Sequence, residues 1–555
     1  MVRSVRAAAL SAALILAGTG PVASAAPPPS PDATTTTNVD EDPASQAAVG
    51  ATTPATVEAA LPPELQAATS FSDVPTSHPF AVEISWLVSR GIANGYPDGT
   101  YRPSTSITRE AMAAFLYRAA GSPAFTDPAV SPFSDVHPAD PFYTEITWLA
   151  DRGITSGYSD GTFRPGRPIA RDAMAAFLYR AAGEPAYSPP AWPTFVDVPN
   201  GHAFYAEIEW LNEESVTQGY ADRTYRPASP VNRDAMAAFV YRNERGDARV
   251  VGNGTPASCT SAAVQNAVGR GGYITFNCGP NPITIPVTAT LHTCNTDTCA
   301  HPWQGGVPVN RMVLDGGGLV TLDGQNARGI YYANSCQESF GWLSSQCNLE
   351  TRPAVTFKDI NLVRGNATAS PPGFQNLRGG GGIAMRGGRL TLSNVVIRDS
   401  FCMAADSDGG GGAVRVTGQQ IPARIYRSTF TNNSCANGGS ISSLQAPMHI
   451  VSSSISNSIA TGHGASSGLG GNGGAIYFDG TRQDVILQGV SITGNRAPEG
   501  GPGVFYVSND RSGTLYIYGS TFTNNTGERF YTAPYRDIFY IGTGPVPVVS
   551  GGHVE

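Results

Sequence analysis

The sequence predicts a multidomain chain: an α-helical region made of three copies of one unit, then an all-β region wound as a coil of parallel strands. Three observations carry this reading. Phe71-Ser72-Asp73-Val74 returns as Phe133-Ser134-Asp135-Val136 and as Phe195-Val196-Asp197-Val198, each 62 residues after the last. A fixed period of this kind marks a repeat architecture. Trp86, Trp148 and Trp210 keep the same step, as do Arg109, Arg171 and Arg233. From about Gly252 helical periodicity gives way to sequence rich in Gly, Ser, Thr and Asn, with short apolar alternations at a second, looser spacing.

Within each copy of the first repeat the order is constant. A turn carrying Phe-x-Asp-Val comes first. Phe80, Ile84, Leu87 and Val88 then fall on one apolar stripe and predict a helix. Gly95-Tyr96-Pro97-Asp98-Gly99-Thr100-Tyr101-Arg102-Pro103 is a turn. Ile107-Thr108-Arg109-Glu110 opens a second helix over Ala111 to Ala119, with Thr108 as N-cap and Glu110 at its positive end. Two short helices bury little surface, so the three copies are expected to pack together.

These pieces, in this order and at one spacing, resemble the S-layer homology (SLH) family. The resemblance covers about a third of the chain: residues 70–128, 129–190 and 191–246 as repeats 1, 2 and 3. It implies a three-pronged assembly around a central helical bundle. It also implies binding of anionic secondary cell-wall polysaccharide, often pyruvylated, in grooves between the prongs. The residues that carry this binding are then Arg109, Arg171 and Arg233, with Trp86, Trp148 and Trp210 and the helix-opening Thr108. The chemistry agrees: a helix N-terminus favours an anion, a guanidinium fork matches a carboxylate, and an indole offers a flat face to a sugar. Local ion pairing for the arginines and core packing for the tryptophans are the structural alternative. Thr108 is replaced by Ala170 and Asn232, and Gly99 and Gly161 by Arg223. The first copy keeps the pattern best. Its arginine is therefore expected to matter most, with at least one groove weak or inactive.

Net charge is −8, and Lys358 is the single lysine. With no basic cluster, nucleic acid is not the expected partner. Arg3 and Arg6, the apolar run Ala7 to Leu16, and Ala23-Ser24-Ala25 read as a secretory signal over residues 1–25. The run is too short for a transmembrane segment. Residues 26–69, rich in Pro, Ala and Thr, read as a disordered linker. The expected location is outside the cell, at the wall or surface layer. All eight cysteines lie between Cys259 and Cys435. An even count in an exported chain argues for disulfides. Proximity favours Cys259–Cys278, Cys294–Cys299, Cys336–Cys347 and Cys402–Cys435.

Over residues 252–555, units beginning at Val355, Leu390, Ala423, Met448, Val485 and Leu515 each place apolar residues at relative positions 0, 2 and 7. Polar pairs such as Asn432-Asn433 and Asn524-Asn525 close most units, and Gly-Gly-Ala/Ser-Ile/Val segments lie between them. Short strands at this spacing describe a solenoid. The pattern resembles the right-handed parallel β-helix (pectate-lyase-like) superfamily, braced by disulfides and capped at its start by Cys259 to Thr293. A β-sandwich is the alternative, which the glycine recurrence disfavours.

The resemblance admits polysaccharide lyases and glycoside hydrolases as well as adhesins and inert stalks, and fold alone does not choose. Candidate catalytic residues are Asp359, Arg364 and Asp399; Arg364 and Asp399 share one relative position and should be stacked neighbours. A structural ladder or ion pair would look the same. Asp406 and Asp408 could hold Ca²⁺, although the stretch lacks full calcium-loop spacing and reads first as a polar turn; no other cofactor is expected. Tyr477, Phe478, Phe505, Tyr506, Tyr516 and Tyr518 gather in the last rungs, either as internal ladders or as outward faces for an extracellular glycan. The favoured reading is a non-catalytic surface protein, anchored by its repeats and displaying the β-helix. A tethered polysaccharide-degrading enzyme and a glycan-binding adhesin are the alternatives.

Overall fold

The computed structural model describes residues 71–555, apart from 186, 191–192, 218, 221, 245–247, 295–308, 310, 336–350, 369–377, 466–467, 482 and 528. The signal and linker readings, and the pairings Cys294–Cys299 and Cys336–Cys347, fall outside what is described.

Each repeat forms two helices: α1 (Ala81–Ser89) and α2 (Arg109–Ala119), α3 (Tyr143–Asp151) and α4 (Arg171–Ala181), α5 (Tyr205–Glu213) and α6 (Arg233–Asn243). Phe80, Ile84 and Leu87 are buried as the periodicity predicts. Thr108 caps α2, its Oγ1 accepting from Ala111 N; Ala170 and Asn232 make no such bond to α4 and α6.

The signature residues between the helices are turn architecture. Asp73 accepts from the backbone N–H groups of Tyr101 and Arg102 at 2.8 and 2.7 Å, pinning the end of the turn to its start. Asp135 and Asp197 do the same in their copies. The Phe71 ring lies where a Cβ on Gly95 would stand, 2.1 Å from its nearest carbon, so only glycine fits there. Arg223 takes a left-handed φ of 66° at the position where Gly99 and Gly161 have 78° and 77°.

The three repeats close on one another. Ile107 N donates to Val231 O, Val231 N to Ile169 O, and Ile169 N to Ile107 O, at 2.8 to 3.0 Å. This ring of backbone bonds lies at the junction of the three copies. Each second helix packs on the first helix of the next copy: α2 on α3, α4 on α5, α6 on α1.

The second half is a parallel β-helix. Among the described residues every pairing between its strands is parallel, which excludes the sandwich. Three faces run along it. The first is built from Arg311–Asp323, Ala354–Val363, Arg389–Arg398, Ala423–Tyr426, Met448–Val451, Val485–Gln488 and Leu515–Tyr518, with shorter continuations. The second consists of two-residue strands such as Phe401–Cys402 and Ser434–Cys435. The third runs from Leu291–Cys294 to Ile538–Ile541. Positions 0, 2 and 7 point inward: Leu390, Leu392 and Ile397 stack in register on Val355, Phe357 and Leu362 in one core.

The corners explain the polar residues. Position 4 of each unit takes a left-handed φ in Asp359, Asn394, Arg427, Ser452, Gly489 and Gly519. Position 9 does so in Arg364, Asp399, Asn432, Asn457, Gly494 and Asn524. Asn, Asp and Gly tolerate that region best. The residue after the second corner turns inward: Asn433, Asn495 and Asn525 donate to the carbonyls of Ile397, Ile455 and Ile492 in the core.

Helix α7 (Ser261–Val268) closes the first coil, with Val264 and Val268 in the core. The expected Cys259–Cys278 bond ties this cap, and Cys402–Cys435 staples two successive coils, with Cα atoms 5.8 and 4.7 Å apart.

The third repeat lies on the first face of the solenoid. Glu213 accepts from Ser393 Oγ at 2.7 Å and pairs with Arg427. Lys358 Nζ meets Glu214 at 2.8 Å, Ser215 meets Thr356 at 2.8 Å, and Arg424 donates to Asn212 at 3.2 Å. Repeat motifs and rung motifs are each local, so neither announced this contact.

Candidate functional site: the grooves between repeats

The three signature arginines form a cycle. Arg109 Nε donates to Phe163 O at 2.7 Å, Arg171 Nε to Tyr225 O at 2.8 Å, and Arg233 Nε to Tyr101 O at 2.9 Å. Each guanidinium therefore crosses to the turn of the next copy. There it lies against aromatic rings: Arg109 over Tyr158, Phe163 and Phe177; Arg171 over Tyr220, Tyr225 and Phe239; Arg233 over Tyr96, Tyr101 and Phe115.

They differ in access. Arg109 and Arg171 are 4% and 3% exposed, whereas Arg233 is half-buried. A cavity of about 220 Å³ opens beside Arg233. Ala93, Ala111, Ala114 and Phe115 give it an apolar floor, Phe142 a wall, and Arg118 a second guanidinium. Arg233 also holds the rim by donating to Asn94 O at 3.1 Å. All three copies contribute to this one groove.

Two expectations are corrected by this geometry. The helix N-termini are not open to an anion: Arg109 N and Glu110 N donate to Arg167 O and Pro165 O of the next copy, and α4 and α6 are bound in the same way. The first copy's arginine is not the accessible one; burial against Phe163 and Phe177 removes Arg109 from the surface, and the open position falls to Arg233. The tryptophans are also used elsewhere. Trp148 packs edge-on against Tyr117 and Trp210 against Tyr179, at 5.3 and 5.2 Å, both buried. Trp86 meets Tyr241 in the same way and is half-buried, with Arg90 over its ring. These pairs join consecutive copies, which is why the tryptophans recur.

Arg118, Phe142 and Asn94 went unnamed in the sequence reading. Arg118 does recur, as Arg180 and Arg242, so the signal for it existed.

On the β-helix Arg364 and Asp399 are neighbours at successive corners, while Asp359 lies at the other corner. Arg364 pairs with Asp323. Asp399 pairs with Arg398 and accepts from Asn432; Asp359 accepts from Asn394 at 2.6 Å. Asp406 and Asp408 bind Arg378 at 3.4 and 2.9 Å, and Asp406 also accepts from the N–H groups of Asp408 and Gly409. Asp406 Oδ1 is thus taken up by the Arg378 guanidinium and a turn, and Asp408 Oδ2 by the same guanidinium. Among the described residues no three His, Cys, Asp or Glu gather as a metal would need. The aromatic residues form two ladders, and in the outer one Tyr477 and Phe505 are buried and do not offer an open face. Phe478, Tyr506 and Tyr540 stack inside the coil, while Tyr477, Phe505 and Phe539 stack in register on its outer side.

Residues 70–113, 132–175 and 194–237 each match the S-layer homology domain family. The chain is 31% identical over 170 residues to cell surface glycoprotein 1 of Acetivibrio thermocellus, covering 28% of this chain and 7% of that protein. It is 28% identical over 159 residues to a cellulosome-anchoring protein of the same organism, covering 27% and 35%. With S-layer protein EA1 of Bacillus anthracis it shares 31% over 134 residues, covering 24% and 15%. The chain thus spans well under half the length of these relatives. It is a cell-surface protein with three S-layer homology domains and a parallel β-helix, and among the described residues no helix is long and apolar enough to cross a membrane.

Proposed function

We propose that the three repeats hold this protein on the cell wall by binding an anionic wall polysaccharide in the groove at Arg233, and that the β-helix is displayed from that anchor. The observation that carries this is the groove itself: two guanidiniums, Arg233 and Arg118, above a floor of Ala93, Ala111, Ala114 and Phe115. A carboxylate attached to a small apolar group, as in a pyruvate ketal on a sugar, matches charge over apolar surface. The similarity to a cellulosome-anchoring protein supports an anchoring role. The β-helix then serves display, because Arg364, Asp399 and Asp359 are corner residues with partners of their own.

The test is calorimetric titration of the full chain with pyruvylated wall polysaccharide and with the same polymer stripped of its ketals. Wild type should bind the first and not the second, and Arg233→Ala should weaken binding at least about tenfold. Binding unchanged by Arg233→Ala, or indifferent to the ketals, would overturn the reading.

A further inference from the structure

The groove at Arg233 lies along the α2–α3 boundary, and the two equivalent boundaries are built differently. At the α6–α1 boundary His78 Nε2 faces Asp234 Oδ2 at 3.9 Å; at the α4–α5 boundary His202 Nε2 faces Asp172 Oδ2 at 3.7 Å. Each histidine is set by its own backbone, because Nδ1 accepts from Phe80 N at 3.2 Å and from Phe204 N at 3.1 Å. An accepting Nδ1 leaves the ring proton on Nε2, aimed at the carboxylate. Each boundary therefore carries a long electrostatic clasp between the N-termini of two helices from neighbouring copies, a ring N–H aimed at a carboxylate from 3.9 and 3.7 Å, outside hydrogen-bond range.

At the α2–α3 boundary the histidine position holds Asp140, and the position equivalent to Asp172 and Asp234 holds Glu110. Two carboxylates cannot clasp. Asp140 turns back and accepts from His137 N at 2.7 Å. The next residues differ in step: Phe142 takes a left-handed φ of 61°, where Phe80 and Phe204 have φ of −114° and −116°. That conformation is unfavourable for a bulky residue. Its ring forms a wall of the cavity. The arginines at the clasped boundaries, Arg109 and Arg171, are the two that are buried.

We infer that Asp140 selects the working groove: the histidine–aspartate clasps hold the other two closed, and the acid at position 140 leaves this one open. This rests on the proposed binding of polymer at Arg233. Asp140 is a positioning residue, acting through the course of the chain at Phe142.

The experiment uses the full chain and pyruvylated wall polysaccharide, with amide hydrogen exchange as a readout that needs no ligand. Asp140→His should form a clasp with Glu110, slow exchange at Phe142 and Tyr143, and weaken binding at least about tenfold. Asp140→Asn should leave both unchanged. His202→Asp should open the α4–α5 groove and raise the number of binding sites per chain from one to two. If Asp140→His binds like wild type while Arg233→Ala does not, the clasp inference falls and the groove reading stands. If neither changes binding, the groove reading falls and takes the inference with it. If His202→Asp leaves the site number at one in a folded chain, the clasp is not what closes that groove.

Discussion

Arg427, at a corner of the β-helix, is paired with Glu213 at the end of α5 in the third repeat. The Glu213 carboxylate is 5% exposed and is also held by Ser393. Removing Arg427 leaves a buried charge with one neutral donor, at a cost of about 2 kcal/mol, discounted because the guanidinium is half in water. Arg427→Ala should separate the melting of the helical region from that of the β-helix. Circular dichroism at helix and sheet wavelengths should then give two midpoints, where wild type gives one.

The same interface carries a pH dependence. Burial pushes His449 down to about 3, with Arg424 and Arg223 adding to it. A histidine depressed in the folded state contributes stability above its ordinary value near 6.5, and that stability is lost as pH falls towards about 3. The melting midpoint should therefore fall on acidification, and His449→Gln should flatten that limb.

Asp537, in the last coil, works in the opposite sense. Burial, with Glu555 nearby, raises it to about 6, against the hydrogen bond from Asn525 and the charge of His553. Its contribution is complete below pH about 4 and is lost as pH rises through about 6. Asp537→Asn should raise the melting midpoint at pH 7 and leave it nearly unchanged at pH 4.

Helix capping gives a paired prediction in the anchor. Thr108→Ala should destabilise the helical region by about 1 kcal/mol, and Ala170→Thr should recover a similar amount at the equivalent site. Urea denaturation followed by helix signal measures both.

Cys402–Cys435 closes 33 residues of chain between successive coils. Replacing both by serine should cost about 3–4 kcal/mol by loop-closure entropy. The loss should appear in denaturant unfolding of the β-helix and be absent when wild type is compared under reducing conditions.

Much of this architecture was legible because each half repeats. The 62-residue step located α1 through α6, and positions 0, 2 and 7 located the inward side chains of the coil. The roles within the repeat were harder to read, because recurrence marks whatever the closed assembly needs. Asp73 recurs to tie a turn, Trp148 to meet Tyr117, and Arg109 to reach Phe163 O. The open groove depends instead on a break in the repeat, Asp140 where the other copies have histidine. The contact of Glu213 and Glu214 with Ser393, Arg427 and Lys358 has no local pattern at all, since the partners lie 144 or more residues apart.

The ring through Ile107, Ile169 and Val231 has a consequence for ancestry. Tandem copies arise by duplication and are lost by unequal exchange, events that change copy number one at a time. In this ring each copy gives one N–H and takes one in a closed circuit of three. A gene with two copies would leave a donor and an acceptor without partners at the centre of the fold, and a fourth copy would have no place to enter. Drift in copy number is thus purged by the geometry itself, while the sequence of each copy remains free to diverge, as position 140 has done.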